Sequence, residues 1–121
     1  MNSSAAGKRA EAKVREDLIG NGYRLVTAHL SRGPADLMAG KPGQTLAVQV
    51  KRSARSGGGI GVVEWNDLVD HAEAFDALPV VAVAAPRCPV VYWRITGRKD
   101  GSGRRQPWVR FALDFADGVA S

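Results

Sequence analysis

The feature that most constrains this chain is the turn composition of Gly40-Lys41-Pro42-Gly43, set between two apolar and partly β-branched runs, ADLMA and TLAVQVK. Such a pattern reads as two antiparallel strands joined by a tight loop. Side chains alternate along a strand. In the second strand Leu46, Val48 and Val50 therefore share one face, and Ala47, Gln49 and Lys51 share the other. Asp36 stands as far before Pro42 as Gln49 stands after Gly43, so a symmetric loop of two or four residues sets the two directly opposite each other. Other loop registers remain open to a Pro-Gly turn.

An acid, an amide and an amine on one sheet face are costly to bury unless something binds there. A divalent cation suits them. The carboxylate of Asp36, the amide oxygen of Gln49 and the backbone carbonyl of Val50 are hard oxygen donors of the kind Mg²⁺ takes while keeping several waters. Lys51 can orient or deprotonate one of those waters. A bound cation lowers the pKa of its water and neutralises charge on a phosphate, so the set is adequate for phosphodiester hydrolysis.

Pro34-Ala35-Asp36 followed by Gln49-Val50-Lys51 resembles the PD-(D/E)XK nuclease signature, with Ala35 between the proline and the aspartate and Gln49 where the pattern usually has Glu or Asp. The closer resemblance is to archaeal-type Holliday junction resolvases and their phage-encoded relatives, over Gly7 to about residue 95. Gly7-Lys8-Arg9-Ala10-Glu11, then Val14, Leu18 and Gly22-Tyr23, is similar to that family's opening helix, whose glutamate belongs to the active site. The resemblance implies a restriction-endonuclease-like core and Mg²⁺-dependent cleavage of DNA, with Mn²⁺ able to substitute. It makes Asp36 the main metal ligand, Gln49 a second, Lys51 the residue that orients water, and Glu11 a direct or water-mediated metal contact. Ser31 falls where the family carries a loop serine.

With 121 residues the chain fits a single domain over 1–121. One cysteine, Cys88, excludes an internal disulfide and a cysteine metal cluster, and reads as a small buried or half-buried hydrophobe. No run is apolar enough for a membrane span or an export signal, which points to the cytoplasm. A formal net charge of +5 favours a polyanionic partner.

Ser3 or Ser4 can cap a first helix running to about Gly20, with Ala10, Val14 and Leu18 as its buried stripe. Glu11 borders that stripe. On the residues alone it either pairs with Arg15 at the surface or points towards the sheet edge. A strand over 23–29 and a loop over 30–34 follow, where Ser31, Arg32 and Gly33 can approach a phosphate or simply give the backbone freedom. After Lys51 comes a glycine-rich basic segment carrying Arg52 and Arg55, suited to a nucleic-acid backbone. Residues 62–76 predict a second helix burying Trp65, Leu68, Val69, Ala72 and Phe75. His29 and His71 lack any metal-ligand spacing and read as structural. Strands over 80–85, the first of them central, and 89–96 come next, and a short last strand over 108–113 follows a second basic loop with Arg98, Lys99, Arg104 and Arg105. With Lys8, Arg9, Arg52 and Arg55 these would form a phosphate-tracking surface.

The expectation is an α/β fold, a mixed sheet flanked by helices in the order αβββαββ with an extra C-terminal strand. The function expected with it is a structure-selective endonuclease making paired nicks in four-way junctions. A restriction- or repair-type nuclease on duplex DNA and a non-catalytic DNA-binding module are the alternatives, the latter kept open by the neutral Gln49. Paired nicks from one site per chain imply a homodimer, placed on the side of the sheet that carries the apolar residues Val91, Trp93 and the 108–111 segment, unless these residues simply fill the monomer core.

Overall fold

The computed structural model describes residues 2–27, 35–52, 60–100 and 107–113, with side chains from Gly7 onward. Helix α1 (Asn2–Gly20) leads into β1 (Arg24–Thr27), the hairpin β2 (Leu37–Lys41) and β3 (Gln44–Lys51), helix α2 (Val62–Ala74), and then β4 (Leu78–Val83), β5 (Val91–Ile95) and β6 (Trp108–Phe111). The six strands form one sheet in chain order, β1-β2-β3-β4-β5-β6. This is the expected α/β order with its last strand. The expected boundaries move by one to a few residues, and the part of the first strand expected beyond Thr27 lies outside the described residues.

The hairpin takes the tight form. Lys41 pairs with Gln44, which leaves Pro42 and Gly43 as the loop, and Gly43 has the left-handed φ of +83° that a side chain would resist. Leu37 then faces Val48, where the paired register ends. The expected pairing of Asp36 with Gln49 does not form: the Asp36 N–H donates to that same Val48 carbonyl, and Ala35 and Leu37 fall on opposite faces, so the chain bulges at Asp36. β3 and β4 are the parallel pair, which demands a crossover, and α2 supplies it. All other neighbours are antiparallel. β4 is bonded on both edges and is mostly buried, as its nearly continuous apolar run requires.

Each helix covers one face. On the first, Ala10, Val14 and Leu18 of α1 pack on Leu37, Leu46, Val48, Val80 and Ala82. On the second, Trp65, Leu68 and Ala72 of α2 pack on Ala47, Val81, Val83 and Ile95. The parity of β3 therefore sends Gln49 and Lys51 to the α2 side.

Two readings need correction. Phe75, expected on the buried stripe, is 59% exposed because it is the C-cap residue, where the chain leaves helical geometry before the left-handed Asp76. Cys88 is exposed: it sits in the turn between β4 and β5, beyond the packed end of either strand. Trp93 and Trp108, read from sequence as either dimer surface or core, are partly buried against the second core, stacked on each other at 4.9 Å with Trp108 also 5.4 Å from Trp65. Lys13, given no role from sequence, fastens α1 to that turn by donating to the carbonyls of Ala85 and Cys88. Among the described residues no helix is long and apolar enough to cross a membrane.

Candidate active site

The end of β3 gathers the polar residues. Asp36 lies just before β2, where its N–H donates to the Val48 carbonyl at 2.8 Å, and its Oδ2 accepts from the Val50 N–H at 2.8 Å. The carboxylate is thus pinned to the β3 backbone. The Lys51 carbonyl accepts from the Ala84 N–H at 2.8 Å, on the β4 side. Backbone polar groups of adjacent strand residues point opposite ways, so the carbonyl of Val50 lies on the same side as its N–H, towards Asp36 and past the start of β2. The Lys51 ammonium lies 3.6 Å from Glu64 Oε2 in the first turn of α2.

Electrostatics mark the place. The Asp36 carboxyl is held above the usual aspartate range, chiefly because it is buried. The Val50 N–H and the Lys51 charge pull the other way, and Glu64 adds to the rise as a like charge. Gln49 is 7% exposed, and its Oε1 is buried with no hydrogen-bond partner among the described residues. An orphaned oxygen of this kind costs about 1–3 kcal/mol, so a strand that otherwise buries apolar groups would be steadier with leucine there. Such a group calls for something that binds it.

The oxygen donors near this end of β3 are of the kind that could hold a hard divalent cation. The Asp36 carboxylate, the Gln49 amide oxygen and the Val50 carbonyl are all oxygens, two of them shown by the backbone geometry to share one side of β3 and the third buried without a partner. The donor set fits Mg²⁺ or Mn²⁺. It is not an all-acid set: among the described residues no three His, Cys, Asp or Glu side chains come together to hold a metal. Glu11 is half-buried on α1, the helix that covers the face opposite Gln49 and Lys51.

The expected DNA-contact residues divide three ways. Lys8 and Arg9 are exposed on α1, and Arg52 is exposed directly after Lys51. Arg98 and Lys99 turn back on α2. Arg98 pairs with Asp70, while Lys99 donates from Nζ to the Ile60 carbonyl at 2.9 Å and lies 4.4 Å over the Trp65 ring. Asn66 and the Lys99 backbone exchange two hydrogen bonds at 2.8 and 3.0 Å, which locks this segment to the helix. Desolvation there lowers the Lys99 pKa. Ser31, Arg32, Arg55, Arg104 and Arg105 lie outside the described residues. Sequence reading missed Glu64. Its one signal was an acid in the first turn of a helix, where a carboxylate is favoured for dipole reasons alone.

No protein-family model matches the chain, and neither does any curated protein. Among solved structures it is similar to Hjc of Archaeoglobus fulgidus, a Holliday junction resolvase from an archaeal hyperthermophile, with a TM-score of 0.61 and 22% identity over 81% of this chain and 86% of that one. At that identity the likeness shows a common fold, a mixed sheet with a helix on either side.

Proposed function

We propose that this chain is a divalent-metal-dependent DNA endonuclease acting on branched DNA, four-way junctions first among them. What supports the reading is the end of β3, where the Asp36 carboxylate bonds the Val50 N–H, the Lys51 ammonium lies beside Glu64 and the buried Gln49 oxygen has no partner among the described residues, in a fold similar to that of a junction resolvase. When bound, Mg²⁺ or Mn²⁺ would polarise the scissile phosphate and acidify a water. Asp36 and Gln49 would hold the ion. Lys51 would place its ammonium against the attacking water and the phosphate oxygens, steadying negative charge as it develops. Arg52, Lys8 and Arg9 would take flanking phosphates, which makes affinity fall steeply with salt. A homodimer would supply two sites for two nicks.

The test is cleavage of four-way junction, flap and linear duplex DNA by the purified chain with Mg²⁺ or with chelator. Paired junction nicks that need metal are expected. Metal-dependent cutting of linear duplex with no junction preference would assign a general nuclease instead. The neutral Gln49 favours one rival, a DNA-binding module without catalysis. A wild-type chain inert on every DNA and revived by Gln49→Glu would establish that rival.

A further inference from the structure

In the strand pattern that this chain resembles, the position of Gln49 usually carries the second acidic ligand. Here it is neutral, and the consequence is a charge deficit. Asp36 and Lys51 lie side by side with opposite charges, so the two cancel at long range and nothing on β3 itself attracts a dication. The helix facing them changes this. Glu64 brings its carboxylate to 3.6 Å from the Lys51 ammonium, and near enough to Asp36 for the two acids to repel. Its side chain is 39% exposed, which leaves water access and room for a rotamer change. Gln49 Oε1, buried and without a partner, belongs to the same face of the sheet.

We propose that Glu64 supplies the second acidic ligand of this metal site, so that α2 carries the charge that glutamine withholds from the strand. The inference rests on the metal-dependent reading above. It gives each polar group of the site a use. Asp36 and Glu64 approach the ion from strand and helix, Gln49 turns a neutral but buried oxygen on it, and Lys51, relieved of its ion pair, is freed for water and phosphate. With no ion bound, the 3.6 Å contact parks the lysine against the carboxylate it yields to the metal.

Mn²⁺ titration of the chelator-stripped full chain, followed by electron paramagnetic resonance of the free ion and by calorimetry, tests this without any turnover. Glu64→Gln should weaken Mn²⁺ binding by about tenfold or more, because ligand charge sets affinity at such sites. Gln49→Glu combined with Glu64→Gln should recover binding to within about threefold of wild type, since the charge has returned to the strand. Glu64 is half-exposed, and circular dichroism of each variant in chelator should match wild type. Binding by Glu64→Gln within about twofold of wild type would leave Glu64 a mere partner of Lys51 and overturn the inference while sparing the nuclease reading. No Mn²⁺ binding by wild type would overturn both.

Discussion

The two faces of the sheet share their strands and differ in what they leave unfinished. On the α1 face Val14, Leu18, Leu37, Leu46, Val48 and Val80 are fully buried, and the polar groups that enter it find partners. Tyr92 gives its hydroxyl to Asp17 at 2.8 Å, and Tyr23 gives its own to Gln44 at 2.6 Å. On the α2 face Trp65, Leu68 and Ala72 meet Ala47, Val81, Val83 and Ile95, and both buried side-chain atoms lacking a partner among the described residues, Gln49 Oε1 and Trp93 Nε1, are here. One face is built for stability. The other gives up some of it at the end of β3, where burial also pushes the Asp36 carboxyl up.

The contrast breaks first on activity. Lys51→Ala and Asp36→Asn should each lower metal-dependent cleavage by about a thousandfold or more, the scale of losing a proton-handling or charge-stabilising group. Junction binding should survive in both, and tighten in Asp36→Asn because one charge facing phosphates is gone. Cleavage near wild type in either variant would remove the site from the α2 face. On the other face Leu18→Ala should cost about 2–5 kcal/mol in denaturant melts, since Leu18 is fully buried, and should leave Mn²⁺ affinity unchanged. A loss of metal binding in the still-folded variant would show that the two faces are not separable.

Gln49→Leu sharpens the comparison because it sets stability against function at one atom. Removing the orphaned oxygen should stabilise the metal-free chain by about 1 kcal/mol, read as a raised denaturant midpoint, while abolishing Mn²⁺ binding and cleavage. Destabilisation would mean that the oxygen already has a partner, and the case for a ligand there would weaken.

The hairpin, its register and the shared face of Gln49 and Lys51 were legible in the sequence because they follow from a two-residue period and one Pro-Gly loop, both local. The place of Asp36 was not, because the alternation breaks there, where its N–H bonds the Val48 carbonyl. The covering role of α2 and the central place of the 80–85 strand were legible through apolar spacing, whereas the strand order and the crossover were not. Glu64 was not. It reaches Lys51 only because α2 packs with its first turn over the end of β3, and no spacing rule spans the segment between them. Arg98 and Lys99 misled in the opposite sense, since a basic pair in a glycine-rich stretch looks free until Asp70, Asn66 and Trp65 are seen to hold it. Phe75 kept its helical spacing but fell at the cap, where spacing no longer fixes direction.

The smallest effect is the pH dependence of the metal-free chain. Burial raises the Asp36 pKa above its ordinary value of 3.8, with Glu64 adding and the Val50 N–H and Lys51 opposing. Between that ordinary value and the raised folded one, the folded state holds more protons than the unfolded state, so stability falls as pH rises through this window. Above the window the deficit stays constant. Asp36→Asn cannot ionise and should lack this component, so the difference between its melting curve and that of wild type should widen as pH rises and then level off. Glu64→Gln removes a like charge, which should narrow the window from its upper end and reduce the fall. Melts in chelator from acid to neutral pH measure both, with the asparagine variant subtracting every other titrating group. Parallel curves for wild type and Asp36→Asn would mean that the carboxylate is already well stabilised without a cation, and the α2 face would lose its main electrostatic argument for binding one.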